Sequence, residues 1–203
     1  MKTVIVDGKR VAPSKVVCVG RNYVEHIEEL NNEMPTSMVI FMKPNSALSE
    51  TLVSGKNPLH YEGEISFLIK QGRVSAVGFG LDLTNRMLQN ELKEKGLPWE
   101  RAKAFDGAGV FSTFVSIDET EVSKLSMQLW INGVLTQEGG IDLMIHKPLD
   151  IIEEINSFSS LIDNDIVMSG TPKGVGAFKS GDVFVGKIFI GKKEILSKEW
   201  ATK

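Results

Sequence analysis

What most constrains the fold of this chain is a set of short apolar, β-branched stretches that recurs along its whole length. "TVIV", "KVVCVG", "MVIFMK", "EISFLI", "VSAVGF", "FSTFVSI", "MQLWIN", "DIVMSG", "DVFVGKIFI" and "KEIL" each have the length and residue types of a strand. "WINGVLTQ" places Asn132-Gly133 between two such runs, a strong hairpin signal, and "IFIGKKEIL" reads as a second hairpin. Helical patterns are fewer. "RNYVEHIEELNN" is short and polar, "LTNRMLQNELKEKG" opens on Thr84 as N-cap and stops near Gly96, and "KPLDIIEEINSFS" has Pro148 just inside a helix start. Strands do not alternate with helices, so a doubly wound parallel sheet is not expected. We expect a mainly β (α+β) architecture, a sandwich or rolled sheet with a few helices at its edges. The 203 residues are enough for one domain, spanning 1–203, with a substantial core.

Several function classes are disfavoured by composition. A net charge of −3 leaves no basic footprint for nucleic acid and no polybasic membrane patch. No apolar stretch approaches the roughly 18 residues that span a bilayer. The start, "MKTVIVDGKRVAPSK", is too short in apolar residues for a signal peptide and reads as a first strand, so a cytoplasmic protein is expected. Cys18, the single cysteine, lies in an apolar run and reads as an inert core residue.

Chemistry concentrates in "HYEGEISFLIK". Side chains alternate along a strand, so Tyr61, Gly63, Ile65, Phe67 and Ile69 share one face and His60, Glu62, Glu64 and Ser66 the other. Two carboxylates on one face suit a hard cation with oxygen ligands, or they belong to an ordinary solvated face. Gly63 between them gives room for close approach. Asp82 stands between Leu81 and Leu83, just before a helix, and either caps that helix or completes a three-carboxylate site. His26 and Glu29 share a helix face, as a base with its orienting carboxylate or as part of a charged surface helix. Lys103, between Ala102 and Ala104, is either a solvated lysine or a cation beside an anionic substrate. "SGTPKGVG" can cradle a carboxylate or simply turn the chain, and His146 reads as structural.

The ordered set "KVVCVGRNYVEHIEEL", "FMKPNSAL", "HYEGEISFLI", "GFGLDLTNRMLQ", "PWERAKAFDG", "INGVLTQEG", "MSGTPKGVG" and "SGD" resembles the fumarylacetoacetate hydrolase family, from about Lys15 to about Gly186. The similarity is to its small single-domain branch of acylpyruvate hydrolases and oxaloacetate decarboxylases or tautomerases. That resemblance implies a β-sandwich roll of the family's C-terminal-domain type, and a homodimer. It implies Glu62, Glu64 and Asp82 as ligands of Mg2+ or Mn2+, with Ca2+ able to take the site in a crystal. It further implies a His26/Glu29 dyad, a catalytic Lys103, and substrate contacts from Arg21, Tyr23, Gln89 and Thr171. Two departures stand out. Met87 follows Arg86 where the family has an acidic residue, and "GAGVFS" replaces a proline-containing segment after "KAFD".

The activity so implied is metal-dependent hydrolysis of a C–C bond in a 2,4-dioxo acid, with a pyruvate enolate as leaving group. The alternative is decarboxylation or tautomerisation of oxaloacetate, or another 2-oxo acid isomerase or decarboxylase reaction of the family. A noncatalytic metal or small-acid binding protein is the reading from a different class. In each case the partner is a small 2-oxo acid, with no nucleic acid and no membrane.

Overall fold

The computed structural model describes residues 1–30, 33–55 and 58–203. Its strands are β1 (Val4–Val6), β2 (Lys9–Val11), β3 (Lys15–Gly20), β4 (Val39–Pro44), β5 (Leu48–Ser49), β6 (His60–Tyr61), β7 (Gly63–Lys70), β8 (Arg73–Asp82) and β9 (Gly109–Ser116). They continue as β10 (Leu125–Ile131), β11 (Val134–Gly140), β12 (Ile166–Met168), β13 (Gly176–Ala177), β14 (Val183–Ile190) and β15 (Lys193–Ala201). The helices are α1 (Val24–Glu29), α2 (Arg86–Glu94), α3 (Glu100–Lys103) and α4 (Pro148–Phe158). No helix among the described residues is long and apolar enough to cross a membrane.

A large mixed sheet runs in the order β2-β1-β9-β8-β7-β12-β3-β4, with β5 added beside β9. A second, antiparallel sheet runs β11-β10-β14-β15. Register shifts at Leu68/Ile69 and between Gly78 and Gly80 mark irregularities that bend the large sheet. The mainly β roll expected from the sequence is the observed fold. Both hairpins form as expected. Asn132 (φ 50°) and Gly133 (φ 80°) both take the left-handed conformation that a tight two-residue turn between right-twisted strands requires.

The large sheet is buried on both faces. Val17, Val19, Ile65, Phe67, Val77 and Phe79 pack into one core with Met127, Leu129, Phe184, Ile188 and Trp200 of the second sheet. Val16, Cys18, Leu68, Ala76, Phe111, Phe114 and Met168 form a smaller core on the opposite face. Glu64 and Ser66 share the face of Leu68, so the polar row of β7 points into protein rather than into water. Cys18 is fully buried, and burial pushes its thiol well above the ordinary range, in keeping with an inert core residue.

Helix starts differ in detail from expectation. α2 is capped by Asn85, whose Oδ1 accepts from the Leu88 amide at 3.2 Å, and not by Thr84. Asp82 caps nothing, because it ends β8. The polar "RNYVEHIEELNN" segment is helical only over Val24–Glu29, and its Asn31 and Asn32 lie outside the described residues. α4 begins at Pro148, as read from the sequence.

One buried carboxylate ties the first strands to the loop after α4. Asp165 accepts from the Ser14 amide (3.1 Å), the Ser14 hydroxyl (2.6 Å), the Lys15 amide (3.2 Å), the Lys15 ammonium (2.6 Å) and the Ile162 amide (3.0 Å). Burial opposes its charge, but these donors hold its carboxyl below the ordinary range. Asp165→Ala is expected to cost about 3 kcal/mol, because it strands several donors and a partly buried ammonium. Urea unfolding checks this through a lower midpoint at unchanged slope. A depressed carboxyl stabilises above its unfolded pKa of about 3.9 and loses that effect as pH falls, so the deficit should shrink in acid below about pH 4.

Candidate active site

The outer face of β7 and the end of β8 bring the three acidic residues together. Glu62 sits just before β7 and is 5% exposed, Glu64 lies within β7 at 2%, and Asp82 closes β8 at 1%. The pairing of Gly63 with Leu81 sets the two segments side by side, and the Asp82 amide donates to the Glu62 carbonyl at 2.8 Å. One carboxylate oxygen from each residue lies within 4.8 Å of the others. Burial removes the solvated-face reading, since no charged side chain stays buried without a partner or a bound cation.

Two lysines and an arginine answer part of that charge. The Lys103 ammonium, at the end of α3, donates to Glu62 (2.7 Å), Asp82 (2.8 Å) and the Thr84 hydroxyl (2.7 Å). Burial works against its charge, but Asp82 and Glu62 push its pKa up to about 12, so it stays an ammonium. The Lys43 ammonium, fully buried in β4, pairs with the second Asp82 oxygen at 2.8 Å and donates to the Lys103 carbonyl. Arg86, opening α2, pairs with the other Glu62 oxygen. Burial opposes ionisation of Glu62, yet Lys103, Arg86 and His26 together hold its carboxyl far below the usual range.

Glu64 is different. Its one strong donor is the Gly170 amide at 2.8 Å, and among the described residues no lysine, arginine or histidine lies within 4 Å of it. Burial first, then the Asp82 and Glu62 charges, raises its pKa well above the carboxylate range. A fully buried carboxylate so placed, beside two others and with oxygen donors only, fits a hard divalent cation.

His26 on α1 lines the same cavity, together with Arg21, Leu30, Phe41, Arg86, Gln89, Lys93, Trp99 and Thr171. Its Nδ1 lies 3.4 Å from Glu29 Oε2, which also accepts from the Gly174 amide at 3.2 Å. The Gly174 amide lies 3.0 Å from Glu29 Oε1. Burial lowers the His26 pKa below its ordinary value against the opposing pull of Glu62 and Glu29, so the ring is neutral near pH 7. With Nδ1–H given to Glu29, Nε2 is the basic nitrogen.

Of the residues singled out in the sequence, Arg21, His26, Glu62, Glu64, Asp82, Gln89, Lys103 and Thr171 line one cavity. Glu29 stands behind His26 and faces an outer cavity. Tyr23 is brought elsewhere, into the core, where its hydroxyl donates to the Gly140 carbonyl at 3.4 Å. The Thr171 hydroxyl donates to the Gly63 carbonyl (2.9 Å) and accepts from the Gln137 amide group (2.9 Å), which fixes the 169–171 loop against β7. Gly63 turns out to make room for protein. A Cβ there would come within 2.9 Å of Gln137 Oε1 and 3.0 Å of the Phe79 ring.

Lys43, Arg86, Lys93 and Trp99 were not among the residues singled out. For three of them a signal was present. Lys43 ends an otherwise apolar strand, and Arg86 and Lys93 lie three residues before and four residues after Gln89, on one face of α2. Asn22 was also passed over. It is fully buried, gives its Nδ2 to the Ser169 carbonyl (2.8 Å) and accepts from the His146 amide (2.7 Å), so it joins the start of α1 to the loop that positions Glu64.

Known proteins resemble this chain along most of its length. Residues 15–195 match the family model described as Fumarylacetoacetate (FAA) hydrolase C-terminal. The chain is 37% identical over 187 residues to oxaloacetate tautomerase YcgM of Escherichia coli K12, covering 83% of this chain and 85% of that protein. It is 33% identical over 216 residues to the mitochondrial oxaloacetate tautomerase oaa1 of Schizosaccharomyces pombe, covering 93% and 95%. Its fold superposes with a TM-score of 0.87 on fumarylpyruvate hydrolase from Pseudomonas aeruginosa, solved with Mn2+ and pyruvate, at 27% identity over 100% of this chain and 96% of that one. A match over residues 15–195, nearly the whole length, places the chain in the fumarylacetoacetate hydrolase family.

Proposed function

We propose that the chain is a divalent-metal-dependent enzyme acting on small 2-oxo acids by proton transfer beside the keto group, with keto–enol tautomerisation of oxaloacetate as its reaction. One observation carries this reading. A neutral imidazole held by a carboxylate opens on the same cavity as three buried carboxylates and a buried ammonium. Two relatives that share a third of their residues with this chain bear the name oxaloacetate tautomerase.

Glu62, Glu64 and Asp82 would hold Mg2+ or Mn2+, which when bound supplies Lewis acidity to the 2-keto oxygen and so acidifies the neighbouring C–H. His26 Nε2 takes the proton from that carbon and returns it to oxygen, or the reverse. Glu29 steadies the imidazolium formed in between and keeps the ring oriented. The Lys103 ammonium, its three donors held by Glu62, Asp82 and Thr84, acts through its field on the negative charge that develops on substrate oxygen. Leu30, Phe41 and Trp99 provide the apolar wall that strengthens these interactions by excluding water. Arg21, Gln89 and Thr171 are the substrate contacts in this reading, and Tyr23 serves packing. A homodimer and a cytoplasmic location belong to the same proposal.

C–C hydrolysis of an acylpyruvate is the second reading, favoured by the similarity to a fumarylpyruvate hydrolase. There His26 would activate water against the distal carbonyl. With Mg2+ present, relaxation of the oxaloacetate enol should run at least about 100-fold faster than after EDTA treatment, and added Mg2+ or Mn2+ should restore it. The absence of metal-dependent turnover with both oxaloacetate and acetylpyruvate would return the chain to the class of binding proteins. Cleavage of acetylpyruvate without oxaloacetate turnover would select the second reading.

A further inference from the structure

The face of α2 that carries Arg86 and Gln89 continues to Lys93, one helical stripe along the cavity wall. The Lys93 ammonium lies over the Trp99 ring, 5.2 Å from its centroid. Among the described residues it makes no ion pair with a carboxylate within 4 Å. Its electrostatic neighbours include Arg21 and Arg86, which disfavour its charge, and Glu62, which favours it. Burial first, then those two arginines, lowers its pKa to about 8. A half-buried ammonium held against an aromatic ring with no carboxylate in contact gains from an anion that comes to meet it. Lys93 and Arg86 also line both the inner cavity, with the carboxylate cluster, and the outer one, with Glu29, His60, Asn90 and Val175. They therefore stand at the junction of the two, Arg86 against Glu62 of the acidic cluster and Lys93 farther along α2.

We infer that Lys93 forms the subsite for the distal carboxylate of the substrate, so that the cavity selects 2-oxo dicarboxylates over 2-oxo monocarboxylates. The inference rests on the 2-oxo acid reading above and adds to it which end of the substrate meets which wall. The 2-oxo acid end belongs at Glu62, Glu64, Asp82 and Lys103, and the far carboxylate reaches the α2 stripe. Trp99 holds the Lys93 stem in place through its ring face.

Malate and lactate separate this subsite from catalysis, because both are unreactive 2-hydroxy acids and they differ only in the distal carboxylate. In calorimetric titrations of the full chain in Mg2+ buffer, malate should bind at least about tenfold tighter than lactate, the worth of one charge-assisted contact. Lys93→Met should bring the two affinities to within about threefold by weakening malate alone, and Lys93→Arg should keep most of the preference. In turnover, Lys93→Met should raise KM for oxaloacetate by a similar factor with little change in kcat. Equal binding of malate and lactate by the unaltered protein would overturn the subsite whatever the variants do. So would a Lys93→Met protein that retains the full preference. Malate preference that depends on Lys93, without turnover of any 2-oxo acid, would uphold the subsite and remove the catalytic reading instead.

Discussion

Lys103→Met is expected to lower turnover about a thousandfold and to cost about 3 kcal/mol of folding stability. The side chain is 2% exposed and its three donors all go to the site, to Glu62, Asp82 and Thr84. Methionine keeps much of the volume but leaves those acceptors facing an apolar thioether. Arg86 and Lys43 still pair with the outer oxygens of Glu62 and Asp82, which keeps the loss near the lower end of what breaking a buried ion pair costs. The pH dependence has a definite sign. A lysine whose folded pKa is raised to about 12, against about 10.4 unfolded, contributes stability that is fully present below pH 10.4 and is lost as pH rises through the folded value. The gap between the unaltered protein and Lys103→Met should therefore be flat from about pH 6 to 10 and narrow only in stronger alkali. Urea unfolding at several pH values measures the first effect and oxaloacetate turnover in saturating Mg2+ the second. A variant with an unchanged midpoint and unchanged turnover would show that the central ammonium does neither job.

His26→Ala should act almost entirely on chemistry. Loss of a general base typically removes about 10²–10⁴ in rate, and we expect that range for tautomerisation and for any acylpyruvate hydrolysis. Decarboxylation of oxaloacetate needs no such base and should be spared. The ring contributes one long contact to Glu29 at 3.4 Å, so folding should lose only about 1 kcal/mol. Mg2+ affinity, measured by titration, should not move, because His26 is not among the three clustered carboxylates. The acid limb of the rate profile should fall below the ordinary imidazole value of about 6.5, since burial depresses the His26 pKa and a divalent cation nearby would push it the same way. Hydrolysis and tautomerisation that both survive in His26→Ala would show that another group moves the proton.

Much of the architecture was legible because it is local. β-Branched runs of four to nine residues, the Asn132-Gly133 turn and Pro148 at a helix start all act through neighbours in the chain. The same holds for the site's skeleton. Period-two alternation puts Glu62 and Glu64 on one side of a strand, and helical spacing puts His26 and Glu29 on one side of a helix. Errors arose where two neighbouring residues offered the same chemistry. Thr84 and Asn85 can both cap α2, and the choice fell to Asn85 because the Thr84 hydroxyl faces the Lys103 ammonium. α3 was missed because its four residues carry no periodicity of their own.

By itself, then, the sequence determined which side chains lie together along each element, and its ordered motifs were enough to point to the family. Whether the face bearing Glu62 and Glu64 would meet water or protein was decided only by tertiary structure. The answer depends on β3, β4, α2 and α3 closing over it from far along the chain. The division of charge was settled there as well. Lys43, Glu62, Asp82 and Lys103 meet across separations of up to 60 residues. Glu62 and Asp82 found lysine and arginine partners, while Glu64 was left with a backbone amide. Pairing of this kind depends on distance through space in a medium of low dielectric, and no local pattern encodes it.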